Sequence, residues 1–139
     1  MAYADAAAAE AAFYEAFGRL DLEQMNSVWA TSDDISCVHP GGGLLQGNTA
    51  VMASWAGIFR GSETPQVSHR VLQVSGDEQI AIHLVEEQVS SPEANRQATI
   101  IATNVYRLLD GEWRMMLHHA SLPLVERTSP PGTEPTALH

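Results

Sequence analysis

Two long runs of apolar and β-branched residues, "ATIIATNVYRLL" and "EWRMMLHHASL", meet at Asp110-Gly111, and this constrains the chain more than any other feature. Asp-Gly between alternating apolar segments is a strong signal for a two-residue hairpin turn with positive φ at both turn positions. If Leu109 then pairs with Glu112, every later pairing follows from the period of two. Leu108 and Trp113, Tyr106 and Met115, Asn104 and Leu117, Ala102 and His119, and Ile100 and Ser121 share one face. Arg107 and Arg114, Val105 and Met116, Thr103 and His118, and Ile101 and Ala120 share the other. The first face holds two large aromatics and no charge near the turn, whereas the second starts with two arginines. The expectation is that helices cover the first face, so that His119 points inward and His118 outward. The second face is also apolar in its middle, at Val105, Met116 and Ile101, which suggests burial against a partner and hence a homodimer through the outer sheet face.

Upstream of the hairpin the pattern is helical. From about Ala4 to Arg19, Ala9, Phe13, Ala16, Phe17 and Leu20 fall on one stripe. Asp21 is placed to cap a short helix, "DLEQMNSVW", with Gln24 three residues on and Leu22, Met25, Val28 and Trp29 as its inner face. "DISCVHPGG" reads as a short strand running into a turn, with His39 at its lip. Asn48 or Thr49 then caps a third helix that turns Val51, Trp55, Ile58 and Phe59 to one side and ends at Gly61. A second hairpin, "QVSHRVLQVS" with "QIAIHLVEEQVS", follows around Gly76-Asp77. Helices followed by antiparallel strands make an α+β domain, with a helical layer on a curved sheet. Residues 1–125 form that single domain, and the Pro-rich polar residues 126–139 form a tail.

With 139 residues the chain has room for one core and one buried site. Its formal charge of −10 repels phosphate backbones and anionic lipid, so nucleic acid and membrane surfaces are excluded as expected partners. The apolar stretches are too short to span a membrane. The Ala-rich opening carries Asp5, Glu10 and Glu15 and no basic leader, so the expected compartment is the cytoplasm. The single cysteine, Cys37, precludes an internal disulfide and a Cys-based metal cluster. No His-Glu-x-x-His spacing, nucleophile motif or phosphate loop is present, so no metal and no cofactor are expected.

The order of elements, together with "CVHPGGGLLQG", "AVMASWAGIF" and "TNVYRLLDGEWRMMLHHAS", resembles the SnoaL-like branch of the nuclear transport factor 2-like superfamily over roughly Ala7 to Pro123. The resemblance implies a cone: three N-terminal helices packed on a strongly curved, mostly antiparallel sheet, with a pocket between them. It also implies dimers through the outer sheet face. The closing segment is similar to the association domain of calcium/calmodulin-dependent protein kinase II, in which the position matching Asn104 is an arginine facing the pocket. The superfamily includes isomerases, dehydratases, hydrolases and cyclases beside non-enzymatic assembly domains, so the fold does not select a reaction.

The candidate catalytic groups are His119, His39 and an inward carboxylate of the Glu86-Glu87 pair. An imidazole and a carboxylate in an apolar pocket suit proton transfer near neutral pH. Alternation allows one glutamate to face the pocket, and the kinase-domain resemblance favours Glu86. Tyr14, Trp29, Trp55, Asn104, Tyr106 and Ser121 are the candidate ligand-binding residues. Each has a plainer reading: a histidine satisfied in the core, a glutamate paired with Arg70 or Arg96, aromatics that only fill space. Two functional readings stay open. One is binding, or cofactor-free acid/base catalysis of isomerase, dehydratase or hydrolase type, on a mostly apolar small molecule. The other is a non-catalytic dimerisation or interaction domain.

Overall fold

The structure, a computed structural model, describes residues 2–61, 63–93 and 95–122, so the expected tail at 126–139 lies outside the described residues. Three helices, α1 (Ala6–Arg19), α2 (Leu22–Val28) and α3 (Asn48–Gly61), accompany six strands: β1 (Ser36–Val38), β2 (Leu45–Gln46), β3 (Gln66–Gly76), β4 (Ile80–Ser91), β5 (Arg96–Leu109) and β6 (Glu112–Ser121). The strands form one sheet in the order β2-β1-β6-β5-β4-β3. All neighbours are antiparallel except β1 and β6, which run parallel. No described helix is long and apolar enough to cross a membrane.

Local chemistry accounts for the helix limits. The Asp5 side chain accepts from the Ala8 amide at 2.7 Å and starts α1. Leu20, at φ 53°, ends it in the left-handed conformation, and the amide of Asp21 bonds back to the Ala16 carbonyl at 2.9 Å. Asp21 then caps α2 by accepting from the Gln24 amide at 3.0 Å. Asp21→Ala is expected to cost about 1 kcal/mol of stability in urea denaturation, since it leaves that amide without its partner. The inner face of α2 is Met25 and Val28, followed by Trp29; Leu22, expected to be buried with them, is 38% exposed.

The Asp110-Gly111 turn has positive φ at both residues, 51° and 79°, and the hairpin pairs Leu109 with Glu112 as the dipeptide implies. The ladder keeps this register to Tyr106–Met115 and then shifts, because Val105 pairs with Leu117. Met116 is thus an extra residue, a β-bulge, lying between the bridge from Trp29 to Met115 and the β1 ladder that begins at Leu117. Leu72 is a second bulge, between Val71 opposite Val85 and Gln73 opposite Leu84. Bulges bend and twist the strands that carry them, which lets the sheet curl around α1.

The core inside this curl is built from Phe13, Met25, Val28, Trp29, Ile35, Val51, Trp55, Tyr106 and Met115, all essentially inaccessible to solvent. The opposite face of the sheet carries Ile82, Leu84, Ile101, Val105 and Leu117, each half-buried.

Candidate functional site

The inner face of α1 is wider than its apolar stripe. Glu10 and Tyr14, four residues apart and therefore on one side of the helix, are 2% and 4% exposed and point at the sheet beside Phe13. The facing strand positions are His83 and Glu87 on β4, Asn104 and Tyr106 on β5, and His118 on β6, none more than 5% exposed. Seven polar side chains from four elements therefore meet in the middle of the core.

Their hydrogen bonds form one network. The Tyr14 hydroxyl donates to Glu87 Oε2 at 2.6 Å. Asn104 Nδ2 donates to the Tyr14 oxygen at 2.9 Å and to Glu10 Oε2 at 3.3 Å. Tyr106 donates to the same Glu10 oxygen at 2.7 Å. His83 Nδ1 lies 3.0 Å from that oxygen too, off the hydrogen-bonding line. Because the Asn104 amide nitrogen is committed to two oxygens, its Oδ1 must accept from His118 Nδ1, 2.6 Å away. This fixes the tautomer. A neutral His118 with hydrogen on Nδ1 has its free lone pair on Nε2, which sits 4.0 Å from Glu87 Oε2.

Burial determines the protonation states. It pushes the Glu87 carboxyl up to about 7 against the opposing hydrogen bond from Tyr14, with the nearby Glu10 adding to the rise. Burial also pulls His118 down to about 3, with His39 and His119 contributing in the same direction, so its ring is neutral across the physiological range. The Tyr14 and Tyr106 hydroxyls are raised well above the ordinary phenol range by burial and by the two carboxyl groups, and act as donors. A carboxyl group that ionises near neutrality, bonded to a tyrosine and close to a neutral imidazole lone pair, can both accept and return a proton.

Asn104, Tyr14 and Tyr106 lie in this cluster, as expected from the sequence. Trp29 and Trp55 wall it: Phe13 contacts both rings, and Trp55 lies 6.0 Å from the His118 ring. His39 stands at the edge of the cluster, half-buried, its ring 4.7 Å from Trp55 and its Nε2 3.0 Å from the Ser54 hydroxyl. Burial lowers its pKa. Beside it the Cys37 thiol is pushed up to about 12 and stays protonated.

Three expected orientations are reversed. His119 and Ser121 are exposed and face outward, because the Met116 bulge moves every later β6 side chain to the other face; His118 takes the inner position. Glu86 also faces outward and pairs with Arg70 at 3.3 Å, whereas Glu87 is inside. The β4–β5 ladder runs without a shift and sets Glu87 opposite Ile100 and His83 opposite Asn104. Even spacing across the connecting turn, Ser91 opposite Arg96, was the signal that could have assigned Glu87 to the face of Asn104. Glu10 and His83 were also missed; the four-residue spacing of Glu10 to Tyr14 was the clue to the first.

The space beside His118 is filled by Phe13, whose ring is 4.8 Å from the imidazole, and by Trp55. A cavity of about 490 Å³ opens one step further out, lined by Phe17, Ile58, Pro65 and Val89 and by the polar Glu63, Ser90, Ser91 and Arg96. Phe17 follows Tyr14 by one helical turn, and Val89 is the next inward residue after Glu87. His69 stacks on Tyr14 at 4.2 Å from the β3 side.

A family model described as the SnoaL-like domain matches residues 6–125. Among solved structures, a Thiobacillus denitrificans protein assigned provisionally as a calcium/calmodulin-dependent protein kinase type II association domain superposes with a TM-score of 0.84. It is 34% identical, with 89% of this chain and 99% of that chain covered. A Streptomyces avermitilis protein of the NTF2-like family, assigned provisionally as a dehydratase, superposes with a TM-score of 0.77 at 34% identity, covering 84% and 92%. The F-box protein SKIP8 of Arabidopsis thaliana is 26% identical over 110 residues, which are 76% of this chain and 44% of that protein. The chain thus spans less than half the length of that relative.

Proposed function

The chain belongs to the SnoaL-like domain family, in the nuclear transport factor 2-like superfamily, and on that premise we propose that it binds a mostly apolar small molecule and transfers a proton on it without a cofactor. The observation that carries this reading is the buried Tyr14–Glu87 hydrogen bond, 2.6 Å long, with the Glu87 carboxyl held at about 7. Glu87 is the proton acceptor and donor, Tyr14 the hydroxyl that stabilises charge developing on a ligand oxygen, and the neutral His118 Nε2 a hydrogen-bond acceptor. The ligand enters through the cavity lined by Phe17, Ile58 and Val89, whose volume suits a small molecule. His119, Ser121 and Glu86 have no part in this reading, and His39 closes the far side of the site.

The test is solvent deuterium exchange into β-tetralone, an apolar ketone with acidic α-hydrogens, followed by NMR in D2O. Exchange catalysed by the protein is expected to fall roughly 100-fold in both Tyr14→Phe and Glu87→Gln. Equal rates in the parent and in both folded variants would sink the assignment.

The complete burial of the seven polar groups favours a second reading, in which the network is a structural element of a non-catalytic assembly domain like the one named for the Thiobacillus relative. Both readings share a homodimer through Ile82, Leu84, Ile101, Val105 and Leu117. Sedimentation at micromolar concentration is expected to give a dimer, and Leu117→Asp a monomer; a monomeric parent chain would remove the dimer from either reading.

A further inference from the structure

Along the inner face of the β4–β5 hairpin, opposing residues recur in steps of two: Glu87 with Ile100, then Val89 with Ala98, then Ser91 with Arg96. The last pair sets a hydroxyl beside a guanidinium where the ladder ends. The Ser91 hydroxyl also donates to Glu63 Oε2 at 3.1 Å, which ties the segment after α3 to this end of the sheet. Glu63, Ser91 and Arg96 are therefore neighbours, and all three line the cavity of about 490 Å³ whose apolar walls are Phe17, Ile58, Pro65 and Val89.

One charge of each sign thus lines the cavity, and the two do not neutralise each other. Among the described residues the arginine ion pairs join Arg19 to Glu15, Arg70 to Glu86 and Arg114 to Glu112, and none involves Arg96 or Glu63. Both side chains are exposed, so neither requires a fixed counter-ion, and each keeps hydrogen-bonding capacity for a ligand. A carboxylate matches the guanidinium fork of Arg96, and an ammonium group matches the carboxylate of Glu63. A ligand with only one of these charges satisfies one side chain and meets the like charge of the other in the same cavity. A ligand that carries both on one carbon satisfies both.

We propose that this cavity binds an α-amino acid with a large apolar side chain, its carboxylate on Arg96, its ammonium group on Glu63 and its side chain against Phe17, Ile58 and Val89. The cavity volume suits a molecule of this size. The inference uses the cavity alone and none of the buried groups around Glu87, so its test is separate from that of proton transfer.

L-phenylalanine, phenethylamine and phenylpropionate share an aryl body and differ in head group, and L-alanine has the zwitterionic head without the body. Their binding is measured by saturation-transfer NMR and isothermal titration calorimetry at neutral pH and low ionic strength, on the parent chain, Arg96→Gln and Glu63→Gln. L-phenylalanine is expected to bind the parent roughly tenfold or more tightly than each of the other three. Arg96→Gln is expected to weaken L-phenylalanine and phenylpropionate and to leave phenethylamine unchanged. Glu63→Gln is expected to weaken L-phenylalanine and phenethylamine and to leave phenylpropionate unchanged. Both substitutions fall on exposed side chains, and circular dichroism verifies that the variants fold. Equal or tighter binding of either singly charged ligand overturns the proposal, as does L-alanine binding as tightly as L-phenylalanine. L-phenylalanine binding that one or both variants leave intact also overturns it, by removing the paired charges from recognition, and so does the absence of L-phenylalanine binding to the parent.

Discussion

Asn104→Leu is expected to lower the unfolding free energy by at least about 3 kcal/mol, the largest effect of any single substitution in the buried network. Asn104 is inaccessible to solvent and bonds to Tyr14, Glu10 and His118 at once. Leucine has the same number of side-chain heavy atoms and the same branching and is the larger residue, so the loss arises from polar groups left unpaired rather than from a cavity. The His118 Nδ1–H loses its acceptor, and Glu10 and the Tyr14 oxygen lose a donor, each costing about 1–3 kcal/mol when it cannot reach water. Urea denaturation measures the loss. Long-range proton–nitrogen NMR of the parent chain provides a separate check: the hydrogen of His118 is expected on Nδ1. Hydrogen on Nε2 would break the chain of donors deduced from the Asn104 amide.

The pH dependence of stability is expected to be flat where it would ordinarily slope, because two buried groups oppose each other. Glu87 is raised from 4.5 to about 7, so the folded state holds a proton that the unfolded chain releases. Its contribution to stability is full below pH 4.5 and is lost as pH rises to 7. His118 is lowered from 6.5 to about 3, so the folded state refuses a proton that the unfolded chain takes up. Its contribution is full above pH 6.5 and is lost as pH falls to 3. Between about pH 4.5 and 6.5 the two slopes, each about 1.4 kcal/mol per pH unit, cancel.

Each single variant should uncover the other group. Glu87→Gln is expected to show stability rising with pH from 3 to 6.5, steepened slightly by His39, whose pKa is lowered by burial. His118→Asn is expected to show stability falling from pH 4.5 to 7. The titratable groups around the pair include Glu10 and Tyr14 on α1, Cys37 on β1, His69 on β3, His83 on β4, Tyr106 on β5, and His39 and His119 at the edges. Urea midpoints at intervals across this range measure the slopes. Identical profiles for the parent and both variants would show that neither group titrates abnormally.

Much of the architecture was legible because it depends on local chemistry. Asp21 caps a helix through its own neighbours, and Asp110-Gly111 can turn a chain tightly with both residues at positive φ. The inward set of β5, Ile100, Ala102, Asn104 and Tyr106, follows from alternation alone. The site was harder to read because its members are polar residues on faces that both look apolar. On β4, Ile82 and Leu84 outside match Ala81 and Val85 inside, so the strand's own pattern does not say whether Glu86 or Glu87 is buried; its register with β5 does.

The two adjacent histidines show where sequence stops and tertiary structure begins. Alternation determined that His118 and His119 lie on opposite faces, since successive side chains on a strand point apart. Which of them enters the core was decided at Met116, where β6 passes from its bridge with Trp29 to its ladder with β1 and takes one extra residue. That bulge answers to a strand pairing between distant parts of the chain, and the bending it allows lets α1 bring Glu10 and Tyr14 onto the sheet. A one-residue shift exchanges the two faces, so the identity of the buried histidine belongs to the tertiary structure.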